Sequence, residues 1–223
     1  MGLSSVKVPK PLVPMFEKAE EYVKNYFSSY NSNIKEGSIT ISGERYILIR
    51  AESLRIDFAK HLAEAMKLPE NYAEEAADHF LYILAKAIGR EDAKHFCSVQ
   101  GVKDPIAKLA AGPVSFSFSG WAFVEILPES KPTADDKFFL VYEHPYSFEA
   151  DVYLKNRENS HSKTVCVMSA GYSAGWCSES FSVELDSREI LCKARGDRVC
   201  RFVMGTKDKL YEYEKFALKN IKK

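Results

Sequence analysis

The sequence lacks an excess of charge of either sign, because its 31 lysine and arginine side chains balance 31 aspartate and glutamate side chains. A chain without net charge has no overall field that would hold it on nucleic acid or anionic lipid, so we expect neither as a partner. It also lacks any apolar run near the roughly 18 to 20 residues that a membrane helix needs, and its first residues do not form a signal-peptide core. These absences predict a cytoplasmic protein with no membrane span.

Two kinds of redox motif are also missing. The chain has no glycine-rich dinucleotide fingerprint and no CxxC pair, so an enzyme with its own hydride or electron source is the less favoured class. Its five cysteines are an odd number without an export signal, which indicates a reducing compartment where thiols bind metal more often than they cross-link. His61, His79 and His95 have no partner four residues away, so we assign them no metal chemistry.

The first fifth of the chain contains an arm, a helix and a hairpin by pattern. Residues 8–14 are rich in proline and predict an extended arm. Apolar side chains recur every three or four residues over 16–30, which predicts an amphipathic helix whose aromatic stripe is core or a dimer face. Alternation on both sides of Gly43 predicts a hairpin of residues 38–42 and 46–49.

The rest of the chain changes between helical and strand patterns. Residues 53–97 predict two or three helices divided at Pro69 and Gly89. A small-residue helix over 165–181 and a closing helix over 210–221 follow later. Between them the period changes, and short β-branched and aromatic segments predict antiparallel strands. These strands are residues 114–118, 121–127, 138–142 and 148–154. Together these elements predict an α+β fold, with an antiparallel sheet packed against helices.

Two cysteines lie eight residues apart around a turn-forming run. If strands flank that run, Cys192 and Cys200 face each other with Cβ atoms roughly 4.5 to 5.5 Å apart, close enough for both sulfurs to share one metal ion. Cys166 and Glu189 complete a Cys₃Glu set suited to tetrahedral zinc. A disulfide between Cys192 and Cys200, or reduced cysteines that only pack, are the alternatives that spacing leaves open.

Four segments resemble a known family. They are residues 37–49, 146–150 (YSFEA), 170–176 (AGYSAGW) and 188–197 (REILCKARGD). The last third is similar to the 4-vinyl reductase domain, and the middle resembles the effector-sensing domain of bacterial phenol- and xylene-responsive activators. The likeness covers about residues 35–205.

The resemblance implies a ligand-binding fold related to small subunits of TRAPP vesicle-tethering complexes, which dimerises through its helices. It also implies a structural zinc ion held by Cys166, Glu189, Cys192 and Cys200. Near a helix N-terminus, the thiol of Cys166 should ionise readily and favour a cation. The chain then divides into an arm and dimerisation helix (1–34), the sensing domain with its zinc site (35–205) and a C-terminal helix (206–223).

The aromatic side chains of this region predict an apolar ligand pocket. The candidate ligand-binding residues are Phe116, Trp121, Tyr142, His144, Tyr172 and Trp176. In the phenol sensors a histidine and a tryptophan hold the ligand hydroxyl, and the resemblance places Phe116 and His144 at those positions here. Neither residue type is kept, which argues against phenol itself. The polar group of the site is instead His144, Tyr142 or Ser117.

These features favour a stand-alone sensing or carrier domain for a small hydrophobic molecule, with a structural zinc site. No ATPase module or helix-turn-helix segment follows residue 205 in this sequence, so we expect a homodimer that signals through a separate output protein. A scaffold subunit of the TRAPP type is the first alternative. An enzyme that reduces a vinyl group on a tetrapyrrole is the second.

Overall fold

The computed structural model describes residues 2–156 and 162–219. Its helices and mostly antiparallel sheets confirm the predicted α+β class. The α-helices of these residues are α1 Val13–Ser28, α2 Phe58–Met66, α3 Glu70–Gln100, α4 Pro105–Phe118, α5 Phe148–Lys155, α6 Val167–Phe181 and α7 Leu210–Lys219, and a π-helical segment Ser53–Asp57 leads into α2. The strands are β1 Val6–Lys7, β2 Asn31–Asn33, β3 Ser38–Ile41, β4 Glu44–Tyr46, β5 Ala122–Ile126, β6 Leu140–Ser147, β7 Asp186–Leu191 and β8 Cys200–Gly205. Residues 220 and 221 of the predicted closing helix, and 157–161 of the loop before α6, lie outside the described residues.

A five-stranded sheet organises the molecule. Its order is β1-β5-β6-β8-β7, with β1 parallel to β5 and every other pair antiparallel. Side chains alternate between its faces. Leu140 and Tyr142 of β6 belong to the main core with α4 and α6, whereas Val141 joins a smaller cluster that α7 covers. Helices therefore lie on both faces of the sheet.

The most extensive packing between two elements of the described residues joins α3 to α6, and glycines make the close approach possible. An added Cβ at Gly171 would overlap the backbone carbonyl oxygen of Tyr82, and one at Gly175 would overlap that of Lys86. Gly89 does not divide the helices as predicted, because α3 continues through it from residue 70 to 100. Position 89 has no room for a side chain, because the backbone of Tyr172 in α6 lies against it. The predicted close approach of the small-residue helix is thus observed.

Two predicted strands are wrong, since both segments are helical. Residues 114–118 form the end of α4, which continues through Pro113. That helix is buried on several sides. A segment that is apolar on all sides does not show the alternation of apolar and polar residues by which a helix is recognised in a sequence. Residues 148–154 lie in α5, which begins after Ser147 and carries Glu149 and Asp151 in its first turn. Acidic groups there favour the positive end of a helix.

The N-terminal elements also differ from the sequence patterns. The predicted arm contains a 3₁₀ turn at Lys10–Leu12, and the chain before it pairs with β5 as β1. The predicted hairpin forms but ends at Tyr46, which pairs with Ile39. Residues 47–49 lie beyond the last pair of this hairpin, and their side chains are exposed.

The aromatic stripe of α1 is core rather than a free face. Phe16, Val23 and Tyr26 are buried, and the helix packs on α4 of the same chain. Among the described residues, no helix is both long and apolar enough to cross a bilayer.

Candidate metal centre and apolar cavity

The end of the sheet brings together the four predicted metal ligands. Leu191 pairs with Arg201, so Cys192 and Cys200 come next to each other where β7 and β8 separate. Cys166 lies at the start of α6, and Glu189 lies on β7. One ligand atom from each of Cys166, Glu189, Cys192 and Cys200 lies within 4.8 Å of all the others, and all four residues are buried.

Hydrogen bonds hold the four groups in place. The backbone N–H of Cys166 donates to Glu189 Oε2 at 2.8 Å, and the N–H of Lys193 donates to Cys200 Sγ at 3.4 Å. The sulfurs of Cys166 and Cys200 are 3.6 Å apart, and all five cysteines are free thiols, so the disulfide alternative is not adopted. Glu189 Oε1 is buried and has no hydrogen-bond partner among the described residues.

The electrostatics of this cluster suit a cation. Burial raises the pKa of Cys166 and of Glu189, whereas hydrogen bonds from Cys166 and Cys200 lower the pKa of Cys192. We expected the helix N-terminus to ease ionisation of Cys166, but burial instead raises the pKa of this thiol. A carboxylate oxygen without a partner and three clustered sulfurs are the donors that a bound metal ion would satisfy. The residues present therefore fit a metal ion.

A buried ion pair next to this cluster was not foreseen. Arg55 Nε lies 2.9 Å from Glu149 Oε1, and both side chains have no exposed surface. Glu149 accepts hydrogen bonds from the N–H groups of Met168 and Ser169 in the first turn of α6, and Arg55 donates to the carbonyl of Val165. The pair thus fixes the start of α6 beside Cys166. Glu149 belongs to the quoted YSFEA motif, but no pattern in the sequence points to Arg55.

An apolar cavity lies between α4, α6 and the strands β5 and β6. Its volume is about 30 Å³. No charged side chain of the described residues lines it. The lining residues are Leu109, Gly112, Pro113, Phe116, Val124, Ile126, Leu140, Tyr142, Tyr172, Ser173, Trp176 and Cys177.

Four of the six predicted ligand-binding residues line this cavity, namely Phe116, Tyr142, Tyr172 and Trp176. Trp121 and His144 do not, but both rings contact Phe116, with centroids 5.3 and 5.6 Å away. All six therefore belong to one aromatic cluster. Ser173 was missed, although it stands between the two predicted aromatic residues of α6.

The three candidate polar groups have different surroundings. Ser117 donates to the carbonyl oxygen of Ser5 at 2.5 Å and lies outside the cavity lining, which removes it as the polar group of the cavity. The hydroxyl of Tyr142 lies 2.9 Å from Ser187 Oγ. His144 is fully buried, and neither ring nitrogen has a hydrogen-bond partner among the described residues. Burial lowers the pKa of His144 to about 3, so its ring is neutral at pH 7.

The sequence matches no protein-family model, and comparison with curated proteins gives no match either. Among solved structures, the fold is similar to the crystal structure of the phenol-responsive sensory domain of the transcription activator PoxR with phenol. The TM-score is 0.72 at 22 % sequence identity, over 91 % of this chain and 96 % of that chain. At this identity the likeness establishes the fold alone. It agrees with the sensing-domain part of the resemblance, and the 4-vinyl reductase and TRAPP relationships stay predictions.

Proposed function

We propose that this chain is a sensory or carrier domain that binds a small, uncharged and largely apolar molecule in the cavity between α4, α6 and the sheet. The observation that carries the proposal is the cavity itself, lined by apolar and aromatic side chains within a fold shared by a phenol-responsive sensory domain. Such pockets bind by excluding water from apolar surface, and a few polar groups fix the orientation of the ligand.

The lining predicts which ligands are accepted. With no charged side chain on its wall, the cavity offers nothing to offset the desolvation of an ionic ligand, so a carboxylate such as benzoate is excluded. Tyr142 and Ser173 are the polar groups within reach of a ligand hydroxyl. The cavity volume is smaller than an aromatic ring, so binding requires side chains of the lining to move apart.

The metal of the cluster is, in this proposal, a structural zinc ion. Three thiolates and one carboxylate are ligands that zinc accepts, and four protein ligands leave no position for a reacting water molecule. The ion would join the start of α6, which carries Cys166, to the end of the sheet, which carries Glu189, Cys192 and Cys200. Its role is to hold the helix that forms one wall of the cavity.

A homodimer and a separate output protein complete the proposal. Ligand binding would change the packing of α6, and a second polypeptide would read that change as a shift between two populated states. A TRAPP-like scaffold that works through its surfaces alone is the alternative. Reduction of a tetrapyrrole is less favoured, because the open space of the cavity is far smaller than a four-ring macrocycle.

Native mass spectrometry of the purified protein tests the proposal directly. We expect two chains, one zinc ion per chain and a small hydrophobic molecule that is released on denaturation and can be identified. In calorimetric titrations of stripped protein, toluene and phenol serve as uncharged probes and benzoate as the charged one. We expect an uncharged probe to bind and benzoate not to bind.

A matched pair of variants separates the two sites. Ser173→Leu fills the cavity and should abolish binding of the uncharged probe while zinc content stays at one per chain. Cys192→Ser should lower zinc content. Protein that carries zinc but has neither a passenger nor affinity for any uncharged aromatic probe would contradict the sensory proposal and favour the scaffold.

A further inference from the structure

A second cavity shares Tyr172 and Trp176 with the first, and its lining is more polar. Its volume is about 30 Å³. Residues of α1, β4, α3, α4 and α6, with Ser119 just after α4, line it. They are Tyr26, Phe27, Tyr46, Asp92, Phe96, Ser115, Ser119, Tyr172 and Trp176.

The polar groups of this cavity are incompletely satisfied. Ser115 is only 6 % exposed, and its hydroxyl has no hydrogen-bond partner among the described residues. Asp92 accepts a hydrogen bond from the hydroxyl of Tyr172 at 2.8 Å. The hydroxyls of Tyr26 and Tyr46 lie 3.1 Å apart and bond to each other. A buried hydroxyl without a partner costs free energy unless a bound molecule supplies one.

One acidic side chain, Asp92, lines the cavity, and no lysine or arginine of the described residues lines it. Asp92 forms no ion pair with any lysine or arginine of the described residues, in contrast to Asp186, which pairs with Lys86 in the same helix region. Burial raises the pKa of Asp92, and the hydrogen bond from Tyr172 and the nearby His95 oppose that rise. His95 Nδ1 lies 3.6 Å from the carboxylate of Glu44, which does not line the cavity. Asp92 is partly buried, and partial desolvation of a carboxylate favours a cationic partner.

We propose that this cavity is a second binding site, which takes a small primary ammonium compound. The ammonium group would donate to the carboxylate of Asp92 and to the hydroxyl of Ser115, and both bonds use groups that the fold leaves short of partners. Its positive charge would face aromatic rings, of which tryptophan and tyrosine are the strongest cation–π acceptors. Tyr172 and Trp176 supply those rings at the shared wall.

Other occupants fit the same groups less well. An anion would be repelled by Asp92, and a quaternary ammonium ion has no N–H to donate to Ser115. Calcium or magnesium requires several oxygen ligands around one point, and the cavity offers a single carboxylate. A water molecule could bond to Ser115 but would leave the charge of Asp92 unbalanced. A primary ammonium group provides both a hydrogen-bond donor for Ser115 and a positive charge for Asp92.

The indole N–H signals of the two tryptophans give a direct test by ¹H–¹⁵N nuclear magnetic resonance. Trp176 lines the cavity and Trp121 does not, so Trp121 is an internal reference, and Trp121→Phe assigns the two signals. Zinc-loaded protein is titrated with ethylammonium chloride, tetramethylammonium chloride and sodium chloride at equal ionic strength. We expect ethylammonium to move the Trp176 signal in a saturable way and the other two salts to leave it unchanged.

Isosteric variants then test the named groups. Asp92→Asn keeps an oxygen that accepts from Tyr172 but removes the charge, and it should weaken ethylammonium binding at least about tenfold. Ser115→Ala should weaken it roughly three- to tenfold. Asp136→Asn, at an exposed carboxylate paired with Lys209, is the charge control and should have no effect.

The folded state of each variant is checked by its zinc content and by an unchanged Trp121 signal. Equal shifts from all three salts, or wild-type affinity in Asp92→Asn, would overturn the proposal and leave ordered water as the occupant. Because no aromatic probe is used, failure here leaves the proposed function untouched.

Discussion

Cys192 is the residue whose loss should cost most at the candidate metal centre, because its sulfur is hydrogen-bonded by both other cysteines of the cluster. Cys192→Ser replaces a soft ligand by a poor one. We expect zinc content to fall below one per chain and the free energy of unfolding to fall by more than about 3 kcal/mol, because loss of a metal is among the causes of the largest single-substitution effects. Elemental analysis and chemical denaturation measure the two effects.

Cys97→Ala is the matched control for this variant. Cys97 is buried but lies outside the four-residue cluster, so the substitution removes a thiol and leaves the metal ligands unchanged. Full zinc content is expected in Cys97→Ala. Equal zinc content in both variants would contradict the assignment of the cluster as the metal centre.

Glu20 should make stability depend on pH. Its Oε1 accepts four hydrogen bonds from the backbone and hydroxyl groups of Ser4 and Ser5, which ties the segment before β1 to α1. Burial acts to raise the pKa of Glu20, but these bonds outweigh it and lower the pKa from 4.5 to about 2. The unfolded chain therefore binds more protons between these two values. The stabilisation is complete above pH 4.5 and is lost as the pH falls toward 2.

Substituting Glu20→Gln should remove this dependence. The expected loss at pH 7 is about 2 to 3 kcal/mol, shrinking as the pH falls toward 2, measured by urea denaturation at several pH values. Glu17→Gln removes an exposed carboxylate from the same helix and serves as the control. Parallel pH profiles for Glu20→Gln and the wild type would show that the hydrogen-bonded carboxylate does not contribute as described.

Single residues show what the sequence could and could not predict of the candidate sites. Cys166, Glu189, Cys192 and Cys200 were identified together because thiol spacing and the family resemblance point to the same four positions. Arg55 could not be identified, since its partner Glu149 is 94 positions away in the chain and only the folded structure brings them together. The second cavity could likewise not be predicted from the sequence, because Asp92 and Ser115 belong to different helices.

At the scale of elements, the packing of α6 on α3 depends on the absence of a side chain at Gly175. Gly175→Ala should raise the helix propensity of α6 by roughly 1 kcal/mol, but the new methyl group would overlap the carbonyl oxygen of Lys86. Neither element can move freely, because both are packed on their other sides. The overlap should win, with a net destabilisation of about 1 to 3 kcal/mol in chemical denaturation.

The same methyl group added at Gly2 meets no atom within 4 Å, so Gly2→Ala is the control and should leave stability unchanged. A Gly175→Ala protein as stable as the wild type would mean that α3 and α6 tolerate a wider separation than the structure shows.

The secondary-structure predictions were wrong where a helix is buried on most sides, because its sequence then lacks the apolar–polar periodicity of a helix. Segment 114–118 looked like a strand because it combines valine and phenylalanine, yet α4 is enclosed by α1, α6 and the sheet, so apolar residues occur on most of its sides. Residues 148–154 did contain a start signal, the acidic first turn of α5, which β-branched and aromatic composition outweighed in the prediction. Where one face is exposed, as in α1, the helix was predicted correctly.

For the whole molecule, the predicted homodimer requires a surface other than the apolar stripe of α1, which α4 already covers. The outward side of α3 carries a row of exposed apolar side chains, with Phe80 59 %, Ile83 51 % and Leu84 48 % exposed. Their spacing places them on one side of the helix. Adjacent exposed apolar side chains of this kind are typical of interaction surfaces, and a chain of zero net charge does not repel a second copy.

Replacing Phe80 and Leu84 together by glutamate should convert a dimer into a monomer, because association would then bury two unpaired charges. Light scattering coupled to size-exclusion chromatography measures the mass, and zinc content reports that each chain is folded. Tyr211→Glu alters an equally exposed aromatic side chain of α7 and should leave the mass unchanged. A dimer that survives in the Phe80 and Leu84 variant would move the interface to another surface, and a monomeric wild type would remove the dimer from the proposed function, because two copies must meet before α6 can signal between them.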